Sequence, residues 1–197
     1  MTQLSFFPSQ FPSPAALPEG FRYHPEFLSE PEQRELLRAI ECEHFEALDF
    51  HGYTAKRRTV EYGLEYDFGT RRATPTRAFP DFLNPIRSRA AEFAAVPAEW
   101  LVEGMIIEYP PGAPIGWHRD APKFGVVIGI SLLSAARMRL KPYAGNGKIV
   151  SLRLEPRSIY VLNGDARWKW QHSIPPGEKL RYSITFRTLR EQEKKSA

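Results

Sequence analysis

At 197 residues with 42% hydrophobic content, the chain can bury one substantial core and is short for two full domains. A single cysteine, Cys42, excludes an intramolecular disulfide framework and a cysteine-rich zinc module, and it suits a reducing compartment with the thiol as a small core residue. The net charge of +4 is compatible with a phosphate-bearing partner and does not require one.

In chain order, residues 1–18 are rich in Pro and Ser without periodicity and read as a flexible or surface-wrapping arm. They show no basic-then-apolar leader, and no window approaches membrane-span length, so a soluble, cytoplasmic, monomeric protein is expected. Ser29-Glu30-Pro31-Glu32 has the form of a capping box ahead of Leu36, Leu37 and Ile40, predicting a helix to about Glu43. Asn84-Pro85, a plausible N-cap followed by a first-turn proline, predicts a second helix with Ile86, Ala90, Phe93 and Ala94 on one face. From about Leu101 the pattern changes to short strand-like runs at 105–109, 126–133, 137–140, 148–154, 158–162 and 182–189. Pro110-Pro111-Gly112, Ala144-Gly145-Asn146-Gly147 and Pro175-Pro176-Gly177 separate them, the middle one as a hairpin tip. Helices first and many strands after predict an α+β fold, a double-stranded β-helix (jelly roll) core buttressed by N-terminal helices. One domain over residues 19–190 and a charged tail over 191–197 complete the expected organisation. No Gly-rich loop joins a strand to a helix, so a nucleotide-binding α/β fold is not indicated.

Two stretches carry chemistry. His118 and Asp120 stand two apart, so on an extended segment both project to one face and can share an ion. With a second imidazole from a distant strand, for which His172 is the candidate, they form two histidines and one carboxylate with open positions, a non-haem Fe(II) pattern. A structural zinc site would instead be closed. His24, His44 and His51 lack such partners and read as surface or hydrogen-bonded core residues. In Arg181-Tyr182-Ser183-Ile184-Thr185-Phe186-Arg187, alternation puts Arg181, Ser183, Thr185 and Arg187 on one side and three apolar or aromatic residues on the other. Two arginines leaning inward can grip the ends of a small dicarboxylate, since each guanidinium fork makes paired charge-assisted hydrogen bonds. Alone, a His-x-Asp triplet is commonplace and an arginine-bearing strand face is ordinarily solvated. The order His-x-Asp, strands, His and then Arg twice is what joins them.

These residues, with Tyr109-Pro110-Pro111-Gly112 and Ser158 to Arg167, resemble the AlkB family of Fe(II)/2-oxoglutarate-dependent dioxygenases over about Leu17 to Leu189. The resemblance implies that His118, Asp120 and His172 ligate Fe(II), and that Arg181 holds the distal carboxylate of 2-oxoglutarate with Tyr109 assisting. It sets Arg187 near the other carboxylate and the Asp ligand, and makes O2 the second co-substrate. Two positions depart from the family pattern: Ile107 stands where an Asn often contacts 2-oxoglutarate, and Pro122 where repair members carry an acidic residue that contacts the base.

The implied reaction is oxidative demethylation of N-alkylated nucleobases in DNA or RNA, as in alkylation damage repair, releasing formaldehyde, succinate and CO2. The base must then be single-stranded or flipped out. Lys56-Arg57-Arg58 leads into Tyr62, Tyr66 and Phe68 and on to Arg71-Arg72, where the family carries its substrate lid. Arg57 and Arg58 could meet phosphates while Tyr62 and Tyr66 stack on a base, or the segment is an ordinary hairpin with a solvated basic edge. Trp168 and Trp170 alternate with Lys169, share a face and are expected to pack the core. Other readings are a 2-oxoglutarate oxygenase acting on a protein side chain and a non-catalytic jelly-roll binding module.

Overall fold

The computed structural model describes residues 17–50, 53–67 and 69–194. Strand residues alternating between two buried faces dominate it, and they assemble into two antiparallel sheets with helices on one outer side. The larger sheet runs, in spatial order, β1 (Phe21–His24), β11 (Ile159–Leu162), β8 (Phe124–Leu132), β13 (Arg181–Leu189), β6 (Glu103–Tyr109), β3 (Tyr53–Tyr62) and β2 (Glu46–Phe50). The smaller runs β10 (Val150–Leu154), β9 (Ala136–Pro142), β12 (Trp170–Ile174) and β7 (Ile115–His118). A separate hairpin, β4 (Leu64–Asp67) and β5 (Arg72–Pro75), follows β3. All strand pairings are antiparallel, the arrangement expected of a jelly roll.

Each strand of the larger sheet is read on two sides. One side, with Val60, Ile106, Ile128, Ile130, Ile184 and Phe186, packs beneath α1 (Glu30–Ile40) and α2 (Asn84–Ala94), which contribute Leu36, Ile40, Ile86 and Ala90. Each of these Val, Leu, Ile and Phe side chains stabilises the fold by about 1.5–3 kcal/mol through burial. The other side faces the smaller sheet. There Val127, Tyr160 and Leu162 meet Met138, Leu140, Leu152, Leu154 and Ile174. The predicted helices therefore buttress the back of the larger sheet and leave its front free for a site.

Local differences from the sequence reading have physical causes. The capping box is present: Glu32 N–H donates to Ser29 Oγ and Ser29 N–H to Glu32 Oε2 at 2.8 Å. The helix stops at Ile40, three residues short of the expected end. Asn84 is the first helical residue, not the N-cap, because a 3-10 turn over Asp81–Leu83, anchored by fully buried Leu83, runs straight into α2. Cys42 is exposed at the end of α1 and not in the core. Trp168 ends the short helix α3 (Gly164–Trp168), so it does not share a strand face with Trp170, which does pack on the inter-sheet core. Leu17 is half-buried against that core, while residues 1–16 of the expected arm lie outside the described residues. Residues 190–194 form α4 (Arg190–Lys194), so the expected tail starts as helix, and 195–197 lie outside the described residues. No helix among the described residues is long and apolar enough to cross a membrane.

Candidate metal and co-substrate site

The smaller sheet brings the two distant histidines together. His172 in β12 is the register partner of His118 at the end of β7, and the ring centroids lie 4.3 Å apart. Asp120 follows two residues after His118, and ligand atoms of all three residues lie within 4.8 Å of one another. A register shift between His172 and Ile174 lets Ile115 turn into the core while His118 faces the cleft.

Several observations fit this triad to a cation. Asp120 Oδ2 is buried with no hydrogen-bond partner and lies 3.8 Å from His172 Nε2. A buried, unpaired carboxylate oxygen is costly unless an ion meets it. His118 Nδ1 lies 2.9 Å from Gly116 O, a contact that puts the proton on Nδ1 and leaves the Nε2 lone pair available. Burial, reinforced by His118, pushes the His172 imidazole down to about 3, so it is a neutral donor at physiological pH. Two neutral imidazoles and a carboxylate suit Fe(II) with open positions.

Asp120 is held from behind. Arg187 in β13 donates from Nε at 3.0 Å and Nη2 at 2.8 Å to Oδ1, which leaves Oδ2 pointing at the histidines. The third guanidinium nitrogen, Nη1, donates to Glu103 Oε1 at 2.5 Å; Glu103 is the register partner of Arg187 on β6 and is 1% exposed. Burial alone would raise the Asp120 carboxyl, but the Arg187 guanidinium, His172, His118 and Arg167 together outweigh that and hold it well below the usual carboxylate range. One cation facing two carboxylates cannot satisfy both, and burial leaves Glu103 raised to about 8 despite the opposing pull of Arg187. The loop carrying Asp120 is fixed by buried Arg167, whose Nη2 donates to Ala121 O at 2.9 Å and Phe124 O at 2.8 Å while Nε donates to Gly125 O at 2.8 Å.

Six residues up the same strand, Arg181 is 4% exposed. Its Nε donates to Ser131 Oγ at 3.0 Å, its guanidinium carbon lies 4.9 Å from the Tyr109 ring centroid, and Nη1 is buried without a partner. An unpartnered buried guanidinium N–H is a carboxylate receptor in waiting. Gly129 on the adjacent strand makes room for the Tyr160 ring: a Cβ there would sit 2.4 Å from the Tyr160 hydroxyl. The two-arginine clamp expected from alternation therefore divides its labour. Arg181 faces the cleft with a free N–H, while the fork of Arg187 is filled by Asp120 and Glu103.

The predicted lid residues divide too. Tyr62 is 2% exposed, part of the core beneath the helices and stacked near Phe79 at 6.4 Å, so it cannot stack on a base. Its even-numbered position on β3 turns it away from the cleft along with Val60. Arg58 shares that side and places both ends of its fork on Glu108 at 2.9 Å, so it is not a free phosphate contact. Arg57, Thr59 and Glu61 alternate onto the cleft side. Tyr66 on β4 stands 5.9 Å from Phe124, whose ring lies beneath Arg187, so it overlooks the triad. Phe68 and His51 lie outside the described residues, and His24 and His44 are exposed. Sequence reasoning missed Glu103, Ser131 and Arg167. Glu103 and Ser131 gain their meaning only across strands, Glu103 opposite Arg187 and Ser131 opposite Ser183 within reach of Arg181, and Arg167 carried no signal.

These features, a jelly roll with a His-Asp-His triad facing a buried arginine, define a 2-oxoglutarate oxygenase fold. Residues 20–187 match the profile of the 2OG-Fe(II) oxygenase superfamily, and the chain belongs to that family, in its AlkB-like branch. Fe(II), 2-oxoglutarate and O2 are its cofactor and co-substrates. Among curated relatives, an "Alkylated DNA repair protein ALKBH8 homolog" of Arabidopsis thaliana is 28% identical over 77% of this chain and 49% of its own length. "Alpha-ketoglutarate-dependent dioxygenase alkB homolog 7, mitochondrial" of Bos taurus is 31% identical over 76% of this chain and 65% of its own. The chain thus spans about half to two thirds of these relatives. The structure of OsALKBH1 superposes with a TM-score of 0.69 at 16% identity, covering 87% of this chain and 98% of that one. A Pseudomonas putida prolyl-4-hydroxylase superposes with a TM-score of 0.60 at 16% identity, covering 87% and 92%.

Proposed function

We propose that the chain is an Fe(II)/2-oxoglutarate-dependent dioxygenase that oxidatively demethylates N-alkylated nucleobases in DNA or RNA, with residues 19–190 as a single catalytic domain. The observation that carries this reading is the pair of unpartnered buried atoms facing one cleft, Asp120 Oδ2 and Arg181 Nη1. They call for a cation at the first and an anion at the second. His118, Asp120 and His172 would hold Fe(II), and Arg181, backed by Ser131 and the Tyr109 ring, would hold the distal carboxylate of 2-oxoglutarate. Arg187 keeps Asp120 ionised and oriented through Oδ1 and does not grip the co-substrate. Bound together, Fe(II) and 2-oxoglutarate activate O2, converting the oxo acid to succinate and CO2 and delivering one oxygen atom to a nearby C–H bond. When that carbon is an N-methyl group, the hydroxymethyl product falls apart to free base and formaldehyde.

The nucleobase assignment is supported by likeness to the Arabidopsis relative, named an alkylated DNA repair protein homolog, by Tyr66 beside Phe124, and by Arg57 on the side of β3 opposite Tyr62. A second reading, oxidation of a protein side chain, is favoured by Pro122, which supplies no hydrogen bond to a base beside Asp120. With one exposed cysteine free of disulfides, the cytoplasm is the location we assign. The test incubates the protein with Fe(II), 2-oxoglutarate and ascorbate against DNA and RNA strands carrying 1-methyladenine or 3-methylcytosine, following oligonucleotide mass and succinate together. Demethylation that is lost in His118→Ala is the expected result. Succinate without demethylation of any strand would overturn the nucleobase assignment and favour the second reading, and neither product from iron-loaded protein would overturn the enzyme itself.

A further inference from the structure

The outer face of the smaller sheet has a charge pattern that folding does not explain. Strands β7, β9, β10 and β12 contain Arg137, Arg139, Lys141 and Arg153 and no acidic residue. Along β9 the outward positions are Arg137, Arg139 and Lys141 in succession, roughly 7 Å apart by strand rise. Their cross-strand partners are not anions. Arg153 stands directly opposite Arg137, Ser151 and Ser173 flank Arg139, and Gln171 is opposite Lys141. Arg153 is paired with Glu155 at 2.7 Å, but Arg137, Arg139 and Lys141 make no ion pair among the described residues. Arg137 therefore faces only another cation, and neither Arg139 nor Lys141 has a cross-strand anion, so an external anion would meet these charges without displacing an ion pair of theirs.

Aromatic surface accompanies the charge. Trp117 lies on the same face with Arg139 at 4.9 Å and Lys141 at 4.5 Å from its ring centroid. Beyond the end of β9, Tyr143 is 58% exposed, with the Arg119 guanidinium 3.6 Å from its ring centroid on one side. Lys148 and Ile149, both exposed, close the same turn. Trp117 and Arg119 alternate with His118 and Asp120, so the outward residues of the ligand segment belong to this surface while the inward ones form the triad. An evenly spaced row of cations without ion-pair partners, Arg139 also donating from Nε to Ser173 Oγ at 3.0 Å, ends in an exposed ring beside the catalytic segment and matches a chain with regularly spaced phosphates and unpaired bases.

We propose that this face is a single-stranded nucleic-acid-binding surface, with phosphates seated on Arg137, Arg139 and Lys141 and a base stacked on Tyr143. It deepens the function proposed above, since it supplies the track along which a strand would reach the triad, and it assigns strand capture to the smaller sheet in place of Tyr62 and Arg58.

The experiment measures anisotropy of fluorescent oligothymidylate and oligouridylate with metal-free protein across a salt series, so it does not depend on turnover. The charge-reversed pair Arg137→Glu/Lys141→Glu should lose affinity at least tenfold, with the slope of log K on log salt falling by roughly 0.7 per phosphate contact removed. Tyr143→Ala should lose roughly tenfold with the slope unchanged. Arg34→Glu/Arg38→Glu, the same charge change on exposed α1 positions, should bind like wild type, and matched melting midpoints exclude misfolding. Equal binding by wild type and both surface variants, equal loss in the α1 control, or preference for a polyglutamate peptide over either oligonucleotide would each overturn the proposal. Demethylation that survived such a result would leave the enzymatic reading standing, whereas intact binding without demethylation would sink that reading alone.

Discussion

The two sheets treat charge in opposite ways. In the larger one, most charges are closed into pairs, Arg187 with Asp120 and Glu103 and half-exposed Arg58 with Glu108, while buried Arg181 and Glu61 each keep one unpartnered atom. In the smaller one, cations line the outside unpaired while the inside supplies two histidines. The contrast follows from burial. Inside a jelly roll an unmatched charge costs several kcal/mol, so each is matched or left for a ligand; on the outside the penalty is a fraction of that, and a pattern can be kept for an external partner.

The sharpest way to break this comparison is Arg187→Ala. It leaves two buried carboxylates without their cation and should cost about 3–5 kcal/mol, read by urea unfolding of the metal-free protein. A loss as small as a surface substitution would mean that the pairs are not what holds the larger sheet. Next, Tyr62→Ala should lose about 3–5 kcal/mol through core truncation. Tyr66→Ala should keep the melting midpoint within about 2 °C and lower turnover on an oligonucleotide instead. Equal behaviour of the two tyrosines would undo their division between core and cleft.

A smaller effect separates paired from unpaired acids within the larger sheet. Burial, with help from Glu65, raises Glu61 to about 7, and its Oε2 is buried without a partner. The folded state therefore holds this proton more tightly than the unfolded chain. The contribution is fully present below the unfolded value and is lost as pH rises through about 7. Glu61→Gln should match wild type near pH 5 and melt a few degrees higher near pH 8 in the metal-free protein. The smallest effect is expected on the other sheet: Arg137→Ala should change stability by no more than about 0.5 kcal/mol.

Much of this was legible in the sequence. Strands β9 and β10 alternate apolar with polar residues because one face is exposed, and β8 and β11 are near-continuous apolar runs because both faces are buried. Strands β6 and β13 and the capping box at Ser29 were readable as well. Strands β7 and β12 were not. They are short, and the histidines that make them functional replace the apolar residues that would have marked them. The pairing of His118 with His172 depended on the order of distant segments, and the register then placed them opposite each other. Tyr62 and Tyr66 show the limit of composition: a Tyr-rich basic stretch suggests a lid, but the turn between β3 and β4 sends one ring into the core and the other over the cleft. Glu103 was invisible because its meaning lies across the strand, in Arg187. Ion pairs between strands are set by register, which local sequence does not encode.

The central claim is that Asp120 leaves a position for a cation and Arg181 one for the anion that reaches it, and anaerobic titration of 2-oxoglutarate into the Fe(II)-loaded protein tests it most directly. Chelation of the oxo acid to iron should produce a saturable visible charge-transfer band. It should be absent in Asp120→Ala, and in Arg181→Ala it should appear only at roughly 10–100-fold higher 2-oxoglutarate with iron still bound. A band with unchanged affinity in Arg181→Ala, or tight iron binding by Asp120→Ala, would contradict the account.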